Sequence, residues 1–268
     1  MKTTSCFLLL TCLLLAACKK DKSPTTSATG KLSYGDSVFY LKAAAYTISP
    51  LTPKTGSYSA FPADLNMDPQ TGKITVSLKG KDGTNSQTGL RYRIIFQPAN
   101  GPSDTTYIVL AGINYQDKIY YLDQNQTTAN PVYNASATLS FPGGTFSSSN
   151  SKLAIHPATG QIDLQKTVEN SLFHNDPKDN DWEVVTINYQ TNDAGAGSKN
   201  SLDVVLYYYS ATDKIPSNIS SIMRVHQEQL IGLAPTAIPV TNAPIDNEID
   251  NIVSLSKPRP PCIIIIGR

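Results

Sequence analysis

The chain has 268 residues, of which 16% are charged and 40% are hydrophobic, and its formal net charge is +1. A nearly neutral chain lacks the basic surface that nucleic acid or anionic lipid would attract, so we expect no nucleic-acid partner. The length fits two domains of about 90 residues better than one.

The N-terminus has the pattern of a bacterial lipoprotein signal. Residues 6–17 form an apolar run that is too short to span a bilayer and typical of a signal peptide. Leu-Ala-Ala-Cys at 15–18 then matches the lipobox, in which small residues precede a cysteine that is acylated. An ordinary secretory signal with a chance cysteine is the alternative. We expect residues 1–17 to be removed and Cys18 to anchor the protein to a membrane by its lipid.

Residues 18–30 predict a polar, flexible tether rich in Ser, Thr and Pro. The start Cys-Lys-Lys-Asp-Lys resembles that of many lipoproteins of the Bacteroidota. Lys19 stands where an aspartate would signal inner-membrane retention, so we expect an outer-membrane location, facing either the periplasm or the exterior. Cys6 and Cys12 leave with the signal and Cys18 is acylated. Cys262 therefore has no disulfide partner, and the core alone must hold the fold.

Residues 31–122 predict a first β-sandwich. Short β-rich runs are separated by Gly, Pro, Asn and Asp, and no amphipathic helix lies between them. The predicted strands are 38–41, 46–48, 74–78, 90–96, 106–110 and 118–122.

Residues 123–212 predict a second sandwich of the same kind. Its predicted strands are 138–141, 153–155, 162–164, 182–189 and 202–209.

One motif occurs in both halves. Residues 56–76 align without a gap to residues 144–164, which indicates one supersecondary unit used twice. Each copy alternates apolar and polar residues, reaches a Pro-x-Thr-Gly turn and resumes the alternation. Proline presets φ in such a turn, and Gly72 and Gly160 allow the positive φ that we expect at its exit.

The motif resembles the cadherin-like, Ig-like repeats of bacterial surface proteins. Residues 61–74, Phe-Pro-Ala-Asp-Leu-Asn-Met-Asp-Pro-Gln-Thr-Gly-Lys-Ile, are the closer copy. The second copy lacks the leading proline and has His156 in place of Asp68. The resemblance implies an all-β chain with two tandem Ig-like β-sandwiches, and it implies no enzymatic activity.

Motifs of catalysis are missing from the sequence. Its histidines make no HExxH and no spaced Cys/His set, and there is no GxSxG or Gly-rich phosphate loop. Paired glycosidase carboxylates are set by geometry rather than by spacing, so that alternative stays open. We expect a non-catalytic protein without a cofactor.

Two features could bind a ligand. Loop 173–181 contains Asp176, Asp179 and Asp181, whose carboxylates suit Ca²⁺, and 179–181 resembles the DxNDN run of cadherin linkers. Pro177 and Lys178 interrupt the spacing, the first repeat has no equivalent run, and a solvated loop is the alternative. The chain also has 14 tyrosines, which could form sugar-stacking platforms or simply suit sheet surfaces. The platform candidates are Tyr115, Tyr120, Tyr121, Tyr207, Tyr208 and Tyr209.

Residues 213–268 predict a C-terminal extension. Ser217 begins a short helix that we expect to end at Gly232, and prolines then favour an extended path. Cys262 precedes four consecutive isoleucines, a segment prone to aggregation unless it is covered. We expect Ile263 to Ile266 to add a buried strand to the second sandwich, which lies nearer in sequence than the first.

Two functions fit these features. The first is a non-catalytic binding, adhesion or scaffolding lipoprotein with a protein ligand. The second is a glycan-binding accessory lipoprotein of a polysaccharide uptake system. An aromatic platform on one exposed sheet face favours glycan, whereas aromatic residues dispersed into cores favour adhesion or scaffolding.

Overall fold

The computed structural model describes residues 30–79, 87–195, 199–226, 231 and 259–267. In these ranges the chain is all-β, built as β-sandwiches in tandem, and the predicted fold class is confirmed. One hydrophobic core extends from Leu32 to Leu110 and also takes in Ile231. A second core begins at Ile113 and includes Ile265 near the C-terminus.

The first sandwich packs a four-stranded sheet, in the order β1-β6-β5-β3, against a two-stranded antiparallel sheet formed by β2 and β4. Along β5, Tyr92, Ile94 and Phe96 are buried, while Arg91 and Arg93 lie on the other face, as their alternation predicts. The strands are β1 (Val38–Phe39), β2 (Tyr46–Ile48), β3 (Gly56–Phe61), β4 (Ile74–Val76), β5 (Arg91–Pro98) and β6 (Asp104–Leu110).

The second sandwich is built on a five-stranded sheet in the order β11-β13-β14-β15-β8. Two short pairs, β10-β7 and β12-β9, cover its inner face together with α1 (Leu164–Glu169). A second helix, α2 (Ser217–Val225), begins where the sequence predicts, and its predicted end at Gly232 lies outside the described residues. The strands are β7 (Ile113–Tyr115), β8 (Lys118–Tyr121), β9 (Thr128–Ala129), β10 (Pro131–Tyr133), β11 (Gly144–Ser148), β12 (Ile162–Asp163), β13 (Asp181–Thr191), β14 (Asn200–Tyr209) and β15 (Cys262–Ile266).

The assignment of 118–122 to the first sandwich is wrong. β8 pairs in parallel with β15, with Ile264 opposite Ile119, and so belongs to the second sheet. The change of core falls at residues 111–112 rather than at 122. The reason is non-local: the partner strand of β8 lies at the far end of the chain.

The strand predicted over 138–141 is also absent. Ser136 Oγ instead accepts hydrogen bonds from the backbone N–H groups of Thr138 and Leu139, both at 3.3 Å. Such local bonds compete with strand pairing. The stretch 153–155 keeps only one bridge, between Ile155 and Ile162.

Helix α1 was not predicted and replaces the end of the strand expected at 162–164. It begins at Leu164 because the Asp163 carboxylate accepts a hydrogen bond from the Lys166 N–H at 2.9 Å and caps the helix. The strands that precede the two turns, β3 and β11, were not predicted either.

The repeated turn has the predicted backbone in both copies, with φ of +68° at Gly72 and +70° at Gly160. The Gly72 N–H donates to the Asp68 carbonyl at 2.9 Å, and the Gly160 N–H donates to the His156 carbonyl at 3.0 Å. Both glycine carbonyls also accept a buried hydroxyl, from Tyr34 at 2.6 Å in the first copy and from Tyr115 in the second. The turn is therefore tied to the core of its own sandwich.

Position 68 and its equivalent 156 cap this turn with different chemistry. Asp68 Oδ1 accepts from the N–H groups of Thr71 at 2.8 Å and Gln70 at 2.9 Å, and these bonds lower the pKa of the carboxyl. His156 Nδ1 accepts from the equivalent Thr159 N–H at 3.2 Å and from its neighbour at 3.3 Å. The histidine thus substitutes for the aspartate only while Nδ1 carries no proton.

The C-terminal strand prediction is confirmed. β15 lies between β14 and β8, parallel to both, and all five of its residues are buried. Cys262 is a free, buried thiol, and burial raises its pKa above the ordinary value.

Candidate binding surface

Helix α2 covers only half of the outer face of the second sheet. Ile215, just before the helix, and Met223, within it, pack on Ile264 and Ile266 of β15 and on Ile119 of β8. The β13 side of this face has no such cover among the described residues. An exposed half-sheet therefore lies beside a covered one.

The exposed half begins with an apolar strip. Trp182 is 56% exposed and Val184 is 46% exposed, although both are large hydrophobic residues. Their partners across β14 are Tyr207 and Val205, which are half-buried. The Trp182 and Tyr207 rings lie 6.5 Å apart between centroids, at 35°. We call Trp182, Val184, Val205 and Tyr207 the aromatic strip.

The strip exists because the strand alternates. Odd-numbered residues of β13 from Val185 to Thr191 are buried, which turns Trp182 and Val184 outward. A pocket of about 160 Å³ borders the strip on the α2 side, and Tyr207, Met223 and Cys262 are among the residues that line it. An apolar or planar ligand group on the strip would find a depression beside it.

The other end of the same face is polar. Further along β13 and β14, Thr186 Oγ1 donates to Asp203 Oδ1 at 2.6 Å. A groove of about 470 Å³ follows beyond that pair. Its outward-facing side chains come from three neighbouring strands and the loop before β14: Thr145, Ser147, Asn188, Gln190, Lys199 and Ser201.

Most of the predicted tyrosine platform is buried. Tyr115, Tyr120 and Tyr208 point into the second core, and burial raises the pKa of each. Tyr209 lies under α2, where burial raises its pKa to about 12. Of the six candidates only Tyr207 joins the aromatic strip, and Trp182, its neighbour there, was missed as a site residue.

The acidic loop does not converge on one point. Asp179 Oδ1 accepts from the Ser210 N–H at 2.6 Å and its hydroxyl at 2.7 Å, whereas Asp181 Oδ2 accepts from the Lys178 N–H at 2.9 Å. Asp176 pairs with the exposed Lys178 ammonium. Within the described ranges no group of His, Cys, Asp and Glu side chains could hold a metal ion.

A buried cluster around Asp117 was not predicted. Its side chain is 0% exposed, and its Oδ1 accepts from the Cys262 N–H at 2.8 Å while Oδ2 pairs with the Arg259 guanidinium. His226 Nδ1 lies 3.0 Å from Oδ1, but neither ring nitrogen of His226 makes a hydrogen bond within the described part of the chain. Nothing in the sequence around Asp117 signals these partners, since they lie more than a hundred residues away. The contacts of Asp117 with Arg259 and Cys262 hold the start of β15 in place.

Cys18, the predicted signal peptide 1–17 and the tether up to residue 29 lie outside the described residues. Neither α1 nor α2 is long and apolar enough to cross a bilayer, and the described ranges hold no other helix that is.

Comparison with known proteins gives no close relative. No protein-family model and no curated protein matches the chain. Solved structures similar to it include domains EC1-2 of chicken VE-cadherin, with 9% identity and a TM-score of 0.22, covering 64% of this chain and 98% of that one. Domains EC1-4 of Drosophila N-cadherin give 10% identity and a TM-score of 0.20, covering 66% and 48%. Both are cadherin repeat domains, and TM-scores this low give no information on the function of the chain.

Proposed function

We propose that the protein is a non-catalytic binding module that recognises another protein through the aromatic strip, as an adhesion or scaffolding component. The observation that carries this proposal is the exposure of Trp182 and Val184 on the half of the sheet that no other described element covers. Single exposed hydrophobic residues are ordinary, but a contiguous strip with a polar rim is typical of interaction sites. Tryptophan and tyrosine are also the residues that most often dominate binding energy.

The burial of the other aromatic residues supports a protein ligand over a glycan. Tyr115, Tyr120, Tyr208 and Tyr209 are taken up by the cores and cannot form an extended stacking surface. One observation favours the second candidate, a glycan-binding accessory protein: Trp182 and Tyr207 lie side by side next to a polar groove. A sugar ring could stack on the strip while its hydroxyls bond in the groove.

The lipobox at residues 15–18 supports a lipid-anchored location at the outer membrane, facing the periplasm or the exterior. In this arrangement the tether and the first sandwich would hold the strip away from the bilayer. The anchor on Cys18 is then the membrane partner, and the ligand of the strip is a separate partner.

The test is binding of the intact chain to two arrays, one of glycans and one of purified bacterial and host surface proteins, with and without calcium. Trp182→Ala is the decisive variant. Tyr107→Ala is the matched control, since Tyr107 is a 48% exposed aromatic residue on the first sandwich.

Truncation of a central interface aromatic residue commonly costs about 2 kcal/mol or more, so we expect binding by Trp182→Ala to fall by roughly 30-fold or more. The control should bind like the parent. Protein hits lost in Trp182→Ala support the first candidate, and glycan hits lost in it support the second. Hits that are indifferent to Trp182 would overturn the proposed site.

A further inference from the structure

The last strand of the chain is a central strand of its sheet. β15 pairs in parallel with β14, where Cys262 lies opposite Val205, and in parallel with β8, where Ile263 lies opposite Lys118. Ile263 and Ile265 enter the core of the second sandwich, and Ile264 and Ile266 enter the cluster under α2. Both faces and both edges of this short segment are thus covered.

Without β15 the sheet would contain an open slot. The edges of β14 and β8 would expose unpaired backbone groups, which are a template for another strand. Apolar side chains on both sides of the slot would also lose their cover, among them Tyr209 and Ile119. Such a slot is a binding site for an extended apolar segment.

Specific hydrogen bonds hold the strand at both ends of the slot. At the start, Asp117 accepts the Cys262 N–H at 2.8 Å and pairs with Arg259, and the Val205 N–H donates to the Pro261 carbonyl at 2.9 Å. At the end, the Gly267 N–H donates to the Tyr209 carbonyl at 3.0 Å. These bonds fix the register of residues 259–267.

No short connection ties this segment to its own sheet. Parallel strands cannot be joined by a tight hairpin, and β15 is parallel to both of its neighbours. The 27 residues 232–258 separate Ile231 from Arg259. A chain of that length can reach roughly 90 Å when fully extended, which exceeds the width of a sandwich.

We propose that residues 259–267 exchange between copies of this chain, so that β15 of one copy fills the β14–β8 slot of a second. Every contact of the strand is the same whether it comes from its own chain or from another. The closed monomer and the exchanged dimer therefore share the contacts of β15, and a higher concentration of the protein favours the dimer. Confinement at a membrane by the proposed lipid anchor would raise that concentration.

The test is a disulfide crosslink between β14 of one chain and β15 of another. The acceptor is the full chain with Val205→Cys and Cys262→Ala, labelled with ¹⁵N, and the donor is the unlabelled native chain with Cys262. Residues paired across adjacent strands lie about 5 Å apart, within the range that a disulfide spans. The two are mixed, held several degrees below the melting temperature for days and then oxidised. Mass spectrometry identifies any disulfide between a labelled peptide that contains position 205 and an unlabelled peptide that contains Cys262.

The proposal predicts this crosslink, together with a dimer by sedimentation. An acceptor with Val184→Cys instead of Val205→Cys is the matched control, because residue 184 lies on the same face but is not paired with β15. It should give no crosslink to Cys262. A donor with Ile264→Asp should also lose the crosslink, because the strand can no longer be buried.

A single chain that carries both Val205→Cys and the native Cys262 is the positive control, because it shows whether the two positions can form a disulfide. If it forms the 205–262 link within one chain while the mixture yields none between chains, the strand does not exchange and the proposal is wrong. If the link forms neither within nor between chains, β15 does not occupy the slot, and the proposal fails as well.

Discussion

Adding one methyl group at Gly72 or Gly160 tests the repeated turn. Both glycines have a φ near +70°, which is costly for any residue with a Cβ. A Cβ at Gly72 would lie 2.7 Å from the ring of Tyr58, and one at Gly160 would lie 2.5 Å from the ring of Phe146. Both rings are buried in the core of their own sandwich. Gly72→Ala and Gly160→Ala therefore strain the backbone and displace a packed ring together.

The expected loss has two parts. The left-handed backbone costs an alanine about 1–2 kcal/mol. Forcing extra volume into a packed core costs about 1–3 kcal/mol more. Each variant should then lose roughly 2–5 kcal/mol of unfolding free energy, which for a domain of this size lowers the melting temperature by on the order of 10 °C or more.

Gly101→Ala is the matched control for this prediction. Gly101 also has a positive φ, +105°, but no heavy atom lies within 4 Å of where its Cβ would be. Thermal and urea unfolding of all three variants separate the backbone cost from the steric cost. If Gly72→Ala and Gly160→Ala have the same melting temperature and urea midpoint as Gly101→Ala, a Cβ in the repeated turn does not clash with the aromatic ring, and the proposed steric cost is wrong.

Four further predictions follow from single positions. Cys18→Ala should abolish metabolic lipid labelling and release the protein from the membrane fraction. If the variant stays in the membrane fraction like the parent, the lipobox interpretation is wrong. Hydrogen bonds from the N–H groups of Thr71 and Gln70 lower the pKa of Asp68 in the folded state. The ionised Asp68 carboxylate therefore stabilises the fold above its unfolded pKa of about 4, and this stabilisation is lost as the pH falls through the folded pKa. Asp68→Asn should flatten this part of the acid-unfolding curve, and an unaltered curve would contradict it. His156→Asp should stabilise the second turn at neutral pH, because a carboxylate accepts the two backbone N–H groups more strongly than an imidazole does; a lower melting temperature would argue against equivalent caps. Deleting residues 262–268 should lower the melting temperature and increase self-association, whereas a monomer as stable as the parent would show that the strand is dispensable.

Local patterns in the sequence predict the repeated turn and the alternation of buried and exposed residues along the strands. Pro-x-Thr-Gly sets its own backbone through residues a few positions apart, so Gly72 and Gly160 have the predicted φ. The isoleucine run indicates burial by composition alone, and β15 is buried.

Long-range pairing explains what the sequence does not predict. β8 has ordinary strand chemistry, and its place in the second sheet depends on β15, which follows more than a hundred residues later. Asp117 and its partners come together for the same reason. Trp182 looks like any strand residue, and its exposure depends on α2 covering one half of the sheet and not the other.

The fluorescence of Trp182 tests the proposed binding surface most directly. Trp182 is the only tryptophan in the chain, so intrinsic tryptophan emission reports on the aromatic strip alone. The intact chain is titrated with the strongest ligand found on the glycan or protein array, and both emission and acrylamide quenching are measured. A ligand on the strip must shield an indole that is 56% exposed, so we expect a blue shift and weaker quenching at saturation. A ligand that saturates the chain while leaving Trp182 emission and quenching unchanged would contradict the assignment of function to this surface.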